Sequence, residues 1–291
     1  MKVTFLGTSG WMPSEKRHTS CVVIDEAGIV FDIGTGAFRL RNHIQTRHVD
    51  IFLSHLHGDH VDGIRYLLGV LGGKQVKKVE IFGRRGVKGF IENILYHNWQ
   101  FPLDVQYVAQ LLGLKSLAIR EMEELTGPGH MLWRVPDPAP PDWRMYCVTS
   151  FTLPHPSGGS MAYDVSFYKQ NGEFYKRVVF VTDTTLCLKN EAVERFVNSL
   201  EDVNRPIDLL IVECNFANRH TEIAYETGLT SPALLVPILK RIQPRKVALT
   251  HVHFLIDEPG PFFEEDTIAL REVKAEHEST YLAYDNEVVY I

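Results

Sequence analysis

No stretch of about 18 apolar residues runs free of charge, glycine or proline, which excludes a transmembrane helix. No C-x-x-C pair is present either. The four cysteines, Cys21, Cys147, Cys187 and Cys214, lie far apart, which argues against a disulfide scaffold or a thiolate zinc site and for a reducing, cytoplasmic setting. Positive charge is not in excess: 30 Lys and Arg against 36 Asp and Glu give a formal net charge of −6, a balance that disfavours extended nucleic acid as a partner. The amino terminus carries one lysine and a short apolar run broken at Gly7, which is not the form of a signal peptide. What is present is the material of a core. With 45% hydrophobic and 23% charged residues over 291 positions, the chain suffices for two domains or one large layered α/β domain.

Runs rich in β-branched and aromatic residues at 3–6, 20–24, 29–31, 51–54 and 79–82 read as strands. Between and after them, 37–46, 63–71 and 87–96 have helical spacing, so the first half alternates strand and helix. The stretch 121–144 differs, because Pro128, Pro136, Pro138, Pro140 and Pro141 oppose regular ladders. It reads as a surface loop, or as a lid carrying Trp133 or Trp143. The second half restarts with strands at 146–153, 162–168, 177–182 and 209–213, a helix at 232–242, a strand at 247–250 and a helix at 264–275. A terminal hairpin pairs 281–283 with 288–290 about Asp285-Asn286. Two halves of similar layout imply one domain, 1–291, of two αβ halves packed sheet on sheet.

The chemistry concentrates in Ser54-His55-Leu56-His57-Gly58-Asp59-His60, directly after an apolar strand. On a strand end His55 and His57 point to one side, and the turn Gly58 permits swings Asp59 and His60 toward a neighbouring position. Neutral imidazoles and a carboxylate suit zinc, or manganese or iron, and a cluster this dense can feed two ions.

This H-x-H-x-D-H pattern is the signature of the metallo-β-lactamase superfamily, which the chain resembles from end to end. Phe5-Leu6-Gly7-Thr8-Ser9-Gly10 and Phe31-Asp32-Ile33-Gly34-Thr35-Gly36 are similar to opening strands of its phosphodiesterase-like branches, where the Asp-x-Gly turn supports the metal-binding loop. The resemblance implies an α/β fold, a four-layer αβ/βα sandwich of two mixed sheets packed face to face with outer helices. It also implies three more ligands at strand ends, which Leu153-Pro154-His155, Val181-Thr182-Asp183 and Leu249-Thr250-His251 supply. By that likeness His55, His57 and His155 hold one divalent ion, Asp59, His60 and His251 the second, and Asp183 bridges them. A hydroxide shared by the ions would be the nucleophile, oriented by Asp59. His253 has no assigned part.

His155 to Tyr163, Val178 to Thr184 and Leu210 to Asn218 look like the branch containing ribonuclease Z and cyclic-nucleotide phosphodiesterases. There a Glu, here Glu213, commonly pairs with a His that protonates the leaving oxygen. In Thr227-Gly228-Leu229-Thr230-Ser231-Pro232 that His is missing, and His220 is the expected stand-in. Ribonuclease Z also typically carries a long arm, often between the third His and the bridging Asp, whereas the interval from His155 to Asp183 barely holds two strands. The resemblance therefore implies a cytoplasmic, dinuclear, metal-dependent hydrolase, with zinc expected, acting as a phosphodiesterase on a small or cyclic phosphodiester. RNA is disfavoured, no membrane is involved, and a homodimer is compatible. The alternatives are a ribonuclease Z-like RNA-processing endonuclease, a thioesterase or lactonase of the same fold, and a metal-binding regulatory protein with lost catalysis. Lys74, Lys77, Lys78, Arg84, Arg85 and Lys88 form the one basic run able to meet phosphate, against its ordinary reading as a solvated face.

Overall fold

The structure, a computed structural model, describes residues 1–72, 75–96, 105–111, 113–122, 131–253 and 261–291. Lys74 and Pro128 lie outside the described residues. The first sheet contains β1 (Lys2–Gly7), β2 (Cys21–Ile24), β3 (Ile29–Phe31), β4 (His48–Phe52), β5 (Lys78–Gly83) and β6 (Ser116–Glu121). The second contains β7 (Leu132–Arg134), β8 (Met145–Leu153), β9 (Ser160–Tyr168), β10 (Phe174–Val181), β11 (Leu209–Glu213), β12 (Val247–Thr250) and β13 (Thr280–Leu282). The last strand, β14 (Val288–Tyr290), returns to the first sheet, so the orders are β14-β1-β2-β3-β4-β5-β6 and β13-β12-β11-β10-β9-β8-β7. Each sheet is antiparallel on one side and parallel on the other, the change falling at β3 and at β10.

Alternation along the strands explains the layering. Val22, Ile24, Phe31, Phe52 and Phe82 of the first sheet face Tyr163, Val165, Val178, Phe180 and Ile211 of the second. Phe31 stacks on Phe180 at 4.8 Å and Phe52 tilts against Tyr163 at 5.2 Å. The intervening Val23, Val30, Ile51 and Ile81 point outward. There a 3-10 helix (Thr35–Asn42) and α1 (Gly58–Val61), α2 (Leu67–Leu71), α3 (Val87–Tyr96) and α4 (Val105–Leu111) cover them. On the far side Val179, Val212 and Leu249 pack under α5 (Glu191–Leu200), α7 (Pro232–Ile242) and α8 (Pro261–Glu276), with α6 (Thr221–Thr227) near the rim. Three apolar layers thus separate four layers of backbone, each buried aliphatic or aromatic side chain contributing about 1.5–3 kcal/mol. This is the four-layer sandwich the resemblance implied. α5 shows the local logic: Asn190 caps it by accepting from the backbone N–H groups of Ala192 and Val193, and Val193, Phe196, Val197 and Leu200 form its buried stripe. No helix among the described residues is long and apolar enough to cross a membrane.

Three expectations are corrected. The final strands do not form a hairpin, because β13 pairs with β12 and β14 with β1, in opposite sheets. The intervening Asp285 carboxylate accepts from Thr8 N at 3.0 Å, Thr8 Oγ1 at 2.8 Å and His18 N at 2.7 Å and pairs with Arg39, so the chain crosses between sheets there. The helix expected at 37–46 is instead the 3-10 helix. Within 121–144 a strand does form, β7, ending before Pro136. Trp143 is buried between the sheets and Trp133 lies beside Tyr168 at 5.4 Å, so neither serves a lid over the site described below.

β7 also delivers Arg134 to a polar cluster between the sheets. Its Nε lies 3.3 Å from Asp50 and its Nη2 3.1 Å from Glu80, while His48 Nε2 lies 2.9 Å from Asp50 and 3.1 Å from Glu80. Burial works against charge on His48, but the hydrogen bonds to Asp50 and Glu80 outweigh it and raise its pKa above 6.5. Such a group stabilises the fold below its unfolded pKa and loses that contribution as pH rises through the folded value. Stability is therefore expected to fall as pH climbs from 6.5, and His48→Gln should flatten the slope. Urea midpoints over about pH 6 to 9 check this, and equal slopes in both proteins would contradict it.

Candidate metal centre

Strands of both sheets end on one rim. Tyr163 Oη donates to Leu53 O at 2.6 Å, Met161 N donates to Ser54 O at 2.7 Å, and Ser9 bridges Val252, so the two rims are joined. After β4 the chain stays extended through His57 (φ −67°, ψ 151°) and turns into α1 at Gly58. His55 and His57 therefore precede the helix, while Asp59 and His60 occupy its first turn. β8, β10 and β12 are followed at the same rim by His155, Asp183 and His251.

The seven side chains converge. Candidate ligand atoms form three overlapping sets, His55–His57–His155, His55–His60–Asp183 and Asp59–His60–His251, each with atoms within 4.8 Å of one another. His60 Nδ1 donates to Asp32 Oδ2 at 2.7 Å, which leaves Nε2 facing Asp183 Oδ2 at 3.2 Å and His251 Nε2 at 3.1 Å. His155 Nδ1 donates to the Gly228 carbonyl at 3.2 Å, so its Nε2 is a bare acceptor. The Nε2 atoms of His55 and His155 are buried with no hydrogen-bond partner.

Burial, then the nearby His60 charge, pushes His55 down to about 2, and burial lowers His155 as well. Burial alone would also depress His60, but the carboxylates of Asp59, Asp32 and Asp183 raise it well above its ordinary value. Asp183 is held well below the carboxylate range because His251 and His60 outweigh its burial. Neutral imidazole acceptors with no donor, beside two carboxylates, make a donor set suited to a cation. Nitrogens bonded at 2.0–2.1 Å to a tetrahedral ion sit about 3.3 Å apart, close to the 3.1 Å between His60 Nε2 and His251 Nε2. These residues fit divalent ions. Four of the six non-glycine residues with positive φ among the described residues, Trp11, Asp32, Asp183 and His251, belong to this rim, where strain is retained because the surroundings over-determine it.

A cavity of about 1180 Å³ opens over the cluster, with His57, Asp59, His155, Asp183 and His251 in its lining. His220 lies on its wall, Nε2 3.5 Å from Glu265 Oε1, and Arg219 Nε donates to the same oxygen at 2.9 Å. Leu229 and His253 line it too. Glu213 does not: it ends β11 fully buried, and burial followed by the Asp183 charge raises its pKa well above the carboxylate range. Several participants were missed in the sequence. Asn215 Nδ2 donates to His251 O at 2.7 Å, Trp11 N donates to Asp59 Oδ2 at 2.7 Å, and Gly10 packs on the His251 ring, where a Cβ would come within 2.5 Å. The glycines were visible as letters, but nothing in the sequence says what fills the space beside them. Arg84, read as part of a solvated run, donates to Ser157 O at 3.0 Å and Gly159 O at 3.1 Å and so anchors the loop after His155.

No family model matches the chain. Curated relatives named Ribonuclease Z include that of Prochlorococcus marinus (strain NATL2A), 25% identical over 98% of this chain and 97% of the relative. That of Cyanothece sp. (strain PCC 7425 / ATCC 29141) is 26% identical over 98% and 94%. Among solved structures, the metallo-beta-lactamase fold protein YhfI from Bacillus subtilis superposes with a TM-score of 0.65 at 18% identity, covering 99% of each chain. Human tRNase Z, short form, gives 0.62 at 21%, and yeast PDE1 gives 0.66 at 14%, each covering 100% of this chain and 99% of the other. Two seven-stranded mixed sheets with outer helices and a histidine–aspartate rim define a protein of the metallo-β-lactamase fold. In sequence the chain is similar along 98% of its length to the relatives named Ribonuclease Z, and in fold to tRNase Z and PDE1.

Gly228 has φ +76°, and a Cβ there would meet Pro156 Cδ at 2.2 Å and His155 Nδ1 at 2.9 Å. Gly228→Ala is therefore expected to destabilise the fold by about 1–3 kcal/mol through strain and to displace His155. Denaturant unfolding and the His155 ring resonances check this; an unshifted midpoint with an unmoved ring would refute it.

Proposed function

We propose that this protein is a dinuclear metal-dependent hydrolase that cleaves phosphodiester bonds in RNA, as a ribonuclease Z-like endonuclease. The observation that carries the reading is the convergence of His55, His57, His155, Asp183, Asp59, His60 and His251 on one rim, joined to likeness with ribonuclease Z along 98% of the chain. This reverses the order suggested by the sequence, in which a small or cyclic phosphodiester came first. The hairpin of β9 and β10 does occupy the interval where an arm was sought. Net charge, however, bears on affinity for extended RNA and not on the bond cut, and Arg84 sits against the loop after His155.

His55, His57 and His155 are assigned to one ion, Asp59, His60 and His251 to the other, and Asp183 to both, with zinc proposed first and manganese or iron as alternatives. Bound there, two ions supply Lewis acidity toward phosphoryl oxygens and lower the pKa of water. The chain's own groups do the rest. Asp32 and the Gly228 carbonyl hold His60 and His155 in the tautomers that present Nε2. Asp59, steadied by the Trp11 N–H, orients the attacking water. His220, held by Glu265, gives a proton to the leaving oxygen in place of the imidazole that Leu229 has replaced.

Elemental analysis should find close to two metals per chain, and hydrolysis of bis-p-nitrophenyl phosphate and of a transfer-RNA transcript should require them. Preference for p-nitrophenyl acetate would instead indicate an acyl substrate. His155→Ala should abolish turnover, and His220→Ala should lower it by up to about 10²-fold, the lower end of general-acid contributions; unchanged turnover would make His220 a surface residue. Leu229→His, on the cavity wall, should raise turnover most for substrates with poor leaving groups, and an equal effect on p-nitrophenolate and alkoxide leaving groups would count against proton donation from that wall.

A further inference from the structure

A centre that only had to cut a small charged diester would have no use for an apolar wall, yet the cavity over this one has Trp11, Phe216, Ile223, Leu229 and Val252 in its lining. Trp11 is the least expected of them. Its side chain is 71% exposed, and large exposed apolar surface beside a polar centre marks a binding site. Nor is its loop slack. Trp11 N donates to Asp59 Oδ2 at 2.7 Å, Gly10 N donates to Val252 O at 2.8 Å, and Ser9 Oγ donates to Met12 O at 2.9 Å. The backbone of Trp11 is left-handed, φ 66°, an unfavourable conformation for a bulky residue that persists only where contacts enforce it. The same hydrogen bond that steadies Asp59 thus places a rigid, planar ring at the lip of the site.

We propose that Trp11, with the wall formed by Phe216, Ile223 and Leu229, is a stacking subsite for a nucleobase adjoining the scissile phosphate. The inference rests on the reading of the site as a phosphodiesterase centre and deepens it by naming what the substrate carries beside the phosphate. A planar ring suits a planar partner: every base has a π-face, and stacking on an aromatic side chain is tolerant of base identity. Arg219, whose guanidinium donates to Glu265, and His220 place hydrogen-bonding groups for a phosphate in the same cavity.

The test is a binding measurement on the metal-loaded protein. Adenosine 5′-monophosphate should quench tryptophan fluorescence and ribose 5-phosphate should not, and Trp11→Phe should remove the quench while retaining affinity. Trp11→Ala should weaken adenosine 5′-monophosphate about 5- to 150-fold, the range of one lost stacking contact, with ribose 5-phosphate unaffected. Equal affinity of the wild-type protein for the two ligands, undiminished nucleotide binding by Trp11→Ala, or tighter binding of octanoate than of the nucleotide would each overturn the proposal. Failure of the parent reading has a different signature, namely intact discrimination between the two ligands with no cleavage of RNA by the wild-type protein.

Discussion

One buried carboxylate holds the centre in register. Asp32 accepts from Ser54 N at 2.7 Å, Ser54 Oγ at 3.0 Å, Ser20 Oγ at 3.2 Å and His60 Nδ1 at 2.7 Å. Those contacts tie the end of β3 to the segments before β2 and after β4, and they aim the far nitrogen of His60 at Asp183 and His251. A buried charge is tolerable only with such a set of donors. Its backbone, at φ 55°, is strained in order to make them. Remove that anchor and the turn carrying His57, Asp59 and His60 has no fixed relation to the second sheet.

The rest of the architecture serves that relation. Aromatic packing between the sheets, Phe31 on Phe180 and Phe52 on Tyr163, sets their separation. The Tyr163 hydroxyl on the Leu53 carbonyl sets the height of the rim. The carboxyl-terminal crossing at Asp285 then closes both sheets at once, binding the loop after β1 and the 3-10 helix through Thr8, His18 and Arg39. The loop so restrained is the one that presents Gly10 to His251 and Trp11 to the cavity.

Charge is divided across the rim in a way that suits hydrolysis. His55 and His155 are kept neutral by burial, Asp59 and Asp183 are kept ionised by His60 and His251, and Glu213 is kept neutral behind them. Donor nitrogens and carboxylates thus face the cavity, and the neutral acid does not compete with them. Leu229 and Phe216 add apolar lining to the same cavity, which lowers the local dielectric and strengthens the electrostatics at the centre.

Much of this was legible in one dimension. The spacing of His55, His57, Asp59 and His60 on a strand end states its own chemistry, because period two and a glycine turn decide which side chains share a face. Near-continuous apolar runs such as Cys21–Ile24 and Ile29–Phe31 likewise fit strands buried on both faces. Other features were settled only by the tertiary fold. Two short strands about Asp285-Asn286 look like a hairpin locally, and only the competing contacts of that carboxylate send them to different sheets. Glu265 reaches Arg219 and His220, and Arg84 reaches the loop after His155, across separations that no periodicity encodes. The residue types and spacings by themselves pointed to the His55–His60 cluster and to two αβ halves packed sheet on sheet, and the family resemblance added the remaining candidate ligands. Which hydrogen bonds orient those ligands, and which side chains wall the cavity, depended on long-range packing, since an orienting partner is chosen by proximity in space.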